Sequence, residues 1–342
     1  MKIRTNLTGL SVGLLLMLFA FISGAVEAVM PAGVSLERVF QMKDGLSHNS
    51  VLSVAVASEM VFIGTERNLT ILGNEGKVTV WGPKNSPLTF QKVSAIAVRG
   101  KELWATSRSP MVGGGTYRWD GLQWQHFEEI KDDMQSNYIS CFYVDEKNVV
   151  WIGTDNQGLN EFVYETNPFK KFGYLSTKKG LIDNNVLCMT SKAGELWIGT
   201  MHGISVYRGR DGEKYLFTNY SQSNGLPYEL VDSIANGPKD RIYAGTPLGL
   251  MIFENGQWRI LKKADGLVDN GIRALTVDGD DLWIGTMKGL QLYRNGVFEK
   301  AFDFHDGLPS ALIQCLTMAH GADGVKRLYI GTDNGLAILR LQ

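Results

Sequence analysis

The chain has 342 residues, 34 of them basic and 35 acidic, and a formal net charge of −1. A balance this even, with no dense basic stripe, argues against nucleic acid or an anionic membrane surface as a partner. No low-complexity linker divides the chain, so one domain is expected.

The N-terminus has the layout of a secretory signal peptide. Lys2 and Arg4 precede an apolar stretch from Leu10 to Ile22, and small residues offer cleavage after Ala25 or Ala28. The stretch is short for the ~20 residues of a membrane span, which disfavours an uncleaved anchor. Residues 1–28 are therefore expected to be removed. The mature residues 29–342 would be periplasmic or secreted, with no membrane insertion.

One phrase then recurs seven times. Its copies centre on Phe62, Trp104, Trp151, Trp197, Tyr243, Trp283 and Tyr329, spaced 42, 47, 46, 46, 40 and 46 residues apart. The fullest form is Leu196-Trp197-Ile198-Gly199-Thr200; the copy at Trp104 lacks the glycine. A period of about 40–50 residues with strand-like composition predicts one sheet per repeat. The fold expected is all-β: a seven-bladed β-propeller of four-stranded antiparallel blades.

The repeat that begins at Gly180 shows the strands. Val186 to Thr190, Glu195 to Gly199, Ile204 to Tyr207 and Lys214 to Asn219 are apolar runs separated by turn residues, which predicts an antiparallel meander. Asn255-Gly256, Asn295-Gly296 and Asp120-Gly121 suit two-residue type I′ hairpins. The last repeat stops after its third strand, whereas residues 34–42 form a surplus strand before the first. That leading segment is expected to supply the outer strand of the seventh blade and so to pair exposed edges.

Stacking the innermost strands exposes two positional rules. The third position is always small: Ser53, Ala95, Cys141, Cys188, Ser233, Ala274 and Cys315. All three cysteines fall there, which marks them as unpaired core residues filling a crowded axis rather than as a disulfide, metal site or catalytic thiol. The strand aromatics are read in the same way, as packing between blades rather than as a carbohydrate platform.

The phrase Leu282-Trp283-Ile284-Gly285-Thr286, followed by Gly289-Leu290 and Tyr293, and the Gly225-Leu226-Pro227 loop resemble the two-component regulator propeller repeat. That resemblance covers residues 34–342. It implies a ligand-sensing domain of the kind found on the periplasmic side of bacterial hybrid sensor kinases. Such receptors carry two propellers, an immunoglobulin-like domain, a membrane span and a kinase, whereas this chain has one propeller, so a sensing role would need a partner.

The second position of the innermost strand admits charge among apolar neighbours: Leu52, Ser94, Ser140, Leu187, Asp232, Arg273 and Gln314. A solvated channel mouth accounts for this, because an unpaired buried charge is costly. An Asp232–Arg273 ion pair and a ligand contact are the two readings this leaves open. Loops on the same face add Arg67, Arg108, His202, Lys288 and Tyr228 as candidate ligand-binding residues. The long second loop, residues 107–115, is a candidate lid or partner contact. No HExxH, Gly-x-Ser-x-Gly or phosphate-loop pattern occurs. The expectation is a non-enzymatic module without metal or cofactor, binding a small molecule, a glycan or an envelope protein such as a membrane receptor. A propeller lyase or hydrolase and a structural assembly subunit are the alternatives.

Overall fold

The computed structural model describes residues 31–342 except 32, 58, 74–75, 89–91, 109–113, 130, 164–170 and 322. The expected signal peptide lies outside the described residues, as does most of the long second loop. The described chain forms seven four-stranded antiparallel sheets, and in six of them the strands follow one another in chain order. In the fourth, Val186–Lys192, Glu195–Thr200, Gly203–Asp211 and Lys214–Tyr220 run from the axis outwards.

The seventh sheet draws on both ends of the described chain. Val34–Phe40 pairs antiparallel with Gly335–Leu341 and is the outermost strand. Glu37 clamps it further, accepting hydrogen bonds from Arg327 Nε at 2.7 Å and Nη2 at 3.0 Å. Phe40 is buried in the cluster that joins the seventh blade to the first.

Apolar packing lies between blades. Among the described residues there are seven clusters of buried residues, each shared by two neighbouring sheets. Each contains one aromatic of the repeated phrase, and all seven aromatics are at most 5% exposed. They are core, as their periodicity predicts.

The repeat glycine has a steric role and keeps an ordinary strand backbone. A Cβ on Gly199 would lie 2.5 Å from Cys188 Sγ and 2.8 Å from Val231 Cγ1 of the next blade. A Cβ on Gly153 would meet Cys141 Sγ at 2.6 Å and Val186 Cγ1 at 2.8 Å. The small third position and the glycine therefore make one notch, which receives the first residue of the following innermost strand. Those seven first residues, from Val51 round to Ile313, are fully buried. In the second blade Thr106 takes the register place of the glycine, with its N–H donated to the carbonyl of Ala95 at 3.1 Å; there the opposite residue is only alanine.

Two turns differ from expectation. Asn255-Gly256 and Asn295-Gly296 have positive φ at both residues, as type I′ requires. At Asp120-Gly121 only the glycine does. Asp120 instead uses its carboxylate to accept the N–H groups of Leu122 and Gln123 at 2.9 and 2.8 Å. In the fourth blade the third strand continues past Gly209 through a register shift between Tyr207 and Arg210. Arg210 lies over the Tyr215 ring at 4.4 Å, and this contact extends the hairpin beyond the predicted turn.

The notch generates a prediction. Gly199→Ala should destabilise the protein by about 1–3 kcal/mol through overpacking. Gly73→Ala, whose added Cβ would find its nearest neighbour at 3.7 Å, should change stability by no more than about 0.5 kcal/mol. Urea denaturation of the two variants measures the contrast; equal losses would remove the steric role.

Candidate functional site

Among the described residues, five of the seven innermost strands carry a β-bulge at the second position; in the second and fifth blades the innermost strand begins after that position. Register shifts fall between Val51 and Ser53, Ile139 and Cys141, Val186 and Cys188, Ile272 and Ala274, and Ile313 and Cys315. The extra residue of a bulge is re-aimed relative to its neighbours. Here the residue before it is fully buried, while Leu52, Ser140, Leu187 and Gln314 are partly exposed and Arg273 is exposed. The bulge thus turns the second position out of the packed notch and towards the channel.

A cavity of about 570 Å³ opens at this level, lined by Leu52, Glu66, Lys92, Ser94, Arg108, Arg273 and Gln314. Its charges differ in status. Lys92 Nζ lies 2.9 Å from Glu66 Oε1, and Arg108 Nη2 lies 3.1 Å from Asp155 Oδ2. Gln314 and Ser50 exchange a long hydrogen bond of 3.3–3.4 Å. Arg273 has no hydrogen-bond or ion-pair partner among the described residues.

Asp232 occupies the equivalent place one blade earlier. It is half-buried, and its backbone N–H donates to the Gly245 carbonyl at 2.9 Å. Its carboxylate has no hydrogen-bond or ion-pair partner among the described residues. Burial pushes its pKa up, and the field of Arg273 only partly opposes this. The ion pair left open by the sequence is thus not closed: the two charges feel each other but stand more than 4 Å apart.

Glu102 shows the usual treatment of a buried charge in this protein. Burial pushes its pKa up, but Arg118, Arg99 and the Trp104 indole N–H outweigh this and hold it below the ordinary carboxylate range. Arg99 lies at 2.7 Å and the indole nitrogen at 3.2 Å. Against that standard, Asp232 and Arg273 lack partners.

The structure gathers Arg108, Arg273 and Gln314 around the cavity; Asp232 is not among the lining residues but stands at the equivalent position of the adjacent blade, within the field of Arg273. The other candidates sit apart from it. His202 Nδ1 is 2.9 Å from Asp183 Oδ2, and Lys288 Nζ is 3.7 Å from Asp269 Oδ2. Tyr228 packs against the cluster around Trp197. Arg67 is exposed, and its backbone is engaged with the Thr65 hydroxyl. Asn49, Asn184 and Asn270 serve the fold: each side-chain oxygen accepts an N–H seven residues earlier, at 2.7–2.9 Å, closing a 3-10 turn. Lys92 was not found by sequence reasoning. It stands just before the innermost strand, at a position with no periodic pattern.

The rim of this face is divided. On blades one to three, the residue after each phrase, or after Ser107 in the second, is Glu66, Arg108 or Asp155. On blades four to six the same loops present Met201, Leu248 and Met287 as exposed apolar side chains.

A seven-bladed propeller with a polar cavity at its channel mouth is the class that fold and site define. The sequence profile of the family described as two component regulator propeller matches residues 133–156, consistent with the resemblance drawn from the repeats. No curated protein matches the chain. Among solved structures it is similar to the extracellular domain of BT3049 from B. thetaiotaomicron, described as a hybrid two component system. The identity is 21% and the TM-score 0.69, over 90% of this chain and 41% of that one. The chain therefore spans about two fifths of that relative's length. Virginiamycin B lyase from Staphylococcus aureus is 13% identical with a TM-score of 0.67, over 90% of this chain and 100% of the lyase. YCF48 bound to D1 peptide is 11% identical with a TM-score of 0.61, over 89% of this chain and 95% of that one. At these identities the likenesses establish the fold. No helix among the described residues is long and apolar enough to cross a membrane.

The unpaired carboxylate makes a pH prediction. Because burial raises the pKa of Asp232, the folded state holds its proton to higher pH than the unfolded chain does. Its contribution to stability is therefore lost as pH rises through that window. Asp232→Asn should raise Tm at pH 7, and the gain should vanish once pH falls below the ordinary carboxylate value. A Tm loss at pH 7 would indicate a partner for the carboxylate.

Proposed function

We propose that this protein is an exported, non-enzymatic binding module, sensor-like in role, which takes its ligand at the channel-mouth face and passes the binding event to an envelope partner such as a membrane receptor. The observation that carries the reading is the mouth cavity: Arg273, in the innermost strand Ile272–Asp278, lines it without a partner among the described residues, and unpaired Asp232 stands just before the innermost strand of the adjacent blade, while the lining charges Glu66, Lys92 and Arg108 are paired. Asp232 is half-buried, and an unpaired carboxylate there costs stability, so its retention beside Arg273 supports a use. The cavity's volume lies in the range of about 300–1,000 Å³ typical of small-molecule sites.

The export signal read at residues 1–28 and the likeness to an extracellular sensor domain support the location. The enzymatic alternative draws on the likeness to the lyase, but that likeness is one of fold. Among the described residues, His202 is engaged with Asp183 and the lining acid Glu66 with Lys92, and the unpartnered carboxylate of Asp232 lies in the field of a cation, Arg273, rather than beside a base.

Leu52→Trp fills the cavity from a position outside the packed notch. It should weaken binding of a mouth ligand at least tenfold while leaving Tm within about 3 °C of wild type. Thermal-shift screening of glycans and small metabolites, followed by calorimetry on the hits, supplies the readout. Turnover of any hit by the wild type, abolished in Leu52→Trp, would replace the binding module with an enzyme.

A further inference from the structure

Arg273 and Asp232 form an unusual pair. They hold the same position on adjacent blades, carry opposite charges and have no other partner among the described residues, yet they do not reach one another. Side-chain collapse would bring them together if their backbones were free to adjust. They are not free: Ile272 and Ala274 flank Arg273 in the ladder, and the N–H of Asp232 is fixed to the Gly245 carbonyl at 2.9 Å. The fold thus fixes the two backbones and leaves the cation and the anion apart, more than 4 Å from one another.

A group that spans such a gap must itself carry both charges. A guanidinium offers a planar fork of N–H donors that suits a carboxylate, and a carboxylate accepts the three donors of an ammonium. A ligand with one charge would satisfy one residue and leave the other stranded. Paired Lys92 and Arg108 on the far side of the cavity do not compete for the ligand anion as Arg273 does.

The rim above the two residues sets the rest of the ligand. Met201, Leu248 and Met287 form the exposed apolar arc on blades four, five and six, and Asp232 and Arg273 belong to blades five and six. The N–H of Met287 donates to the Gly271 carbonyl at 3.2 Å, which places that side chain beside the strand bearing Arg273. Methionine is flexible and polarizable and adapts to apolar groups of varied shape.

We propose that the mouth cavity binds a small zwitterion with an apolar side chain, a free amino acid or dipeptide, its carboxylate on Arg273, its ammonium on Asp232 and its side chain against Met201 and Met287. This inference rests on the mouth as the binding site and adds the chemistry of what enters it.

Calorimetry on the full-length chain tests it, with L-leucine and leucyl-leucine as probes. N-acetyl-leucine, which lacks the ammonium, and leucinamide, which lacks the carboxylate, are the controls. At least one zwitterion should bind, and both controls should bind at least tenfold more weakly. Asp232→Asn should erase the preference over N-acetyl-leucine, and Arg273→Gln the preference over leucinamide, with both variants checked for cooperative unfolding at a Tm no lower than that of wild type. Equal binding of zwitterions and controls, or no binding of either zwitterion, would overturn the proposal. If the controls bind as well as leucine and Leu52→Trp abolishes all of it, the mouth stands as the site and only the zwitterion falls. Leucine binding that survives Leu52→Trp would remove the mouth itself.

Discussion

The structure depends on a notch cut by a glycine. Seven innermost strands converge on one axis, and each must pass close to the second strand of the blade before it. The absent side chain of the repeat glycine, faced by Ser, Cys or Ala at the third position, makes the space, and a β-branched residue of the next blade fills it. The contact seals the inter-blade cluster, since each first-position residue that it receives is fully buried. Its repetition explains why the chain spends glycine, a poor strand former, in six second strands.

From that contact the site follows. Packing the first and third positions into the notch requires the residue between them to go elsewhere, and the bulge directs it to the channel. The second position is thus free of the apolar rule that governs its neighbours. Most blades use it for leucine, serine or glutamine. Blades five and six use it for a carboxylate and a guanidinium. Arg273 lies within the ladder and the Asp232 N–H is tied to the Gly245 carbonyl, so the backbones that carry the two charges are held in place.

Much of this was legible in the chain. The phrase and its period report the number of blades directly, since each copy packs the same way. The small third position and the charge-tolerant second position were visible once the strands were stacked, and they led to Arg273, Asp232 and Gln314. What escaped was whatever depends on partners distant in sequence. The pairing of Arg108 with Asp155 spans two blades, and Lys92 sits at an unpatterned position. His202 and Lys288 looked available, yet each faces an acid on the loop leading into its own blade. The loop asparagines of that face are turn formers by residue type, and the hydrogen bonds of Asn49, Asn184 and Asn270 show which turns they close. The bulge was also hidden, because alternation predicts directions for a regular strand and says nothing of an inserted residue.

The notch account is tested most directly with the protein's own thiols. Cys141, Cys188 and Cys315 are free, and burial pushes the thiols of Cys141 and Cys315 up to about 12 and that of Cys188 well above its ordinary value. A disulfide reagent at pH 8 should find no fast-reacting thiol in the native protein and three in denaturant. Moving the thiol one residue, as Leu187→Cys, should add one that reacts at the rate of a free cysteine, because that position faces the channel. Fast reaction of Cys188 in the native wild type, or protection of the thiol at position 187, would contradict the alternation of notch and channel on which the fold and the site both rest.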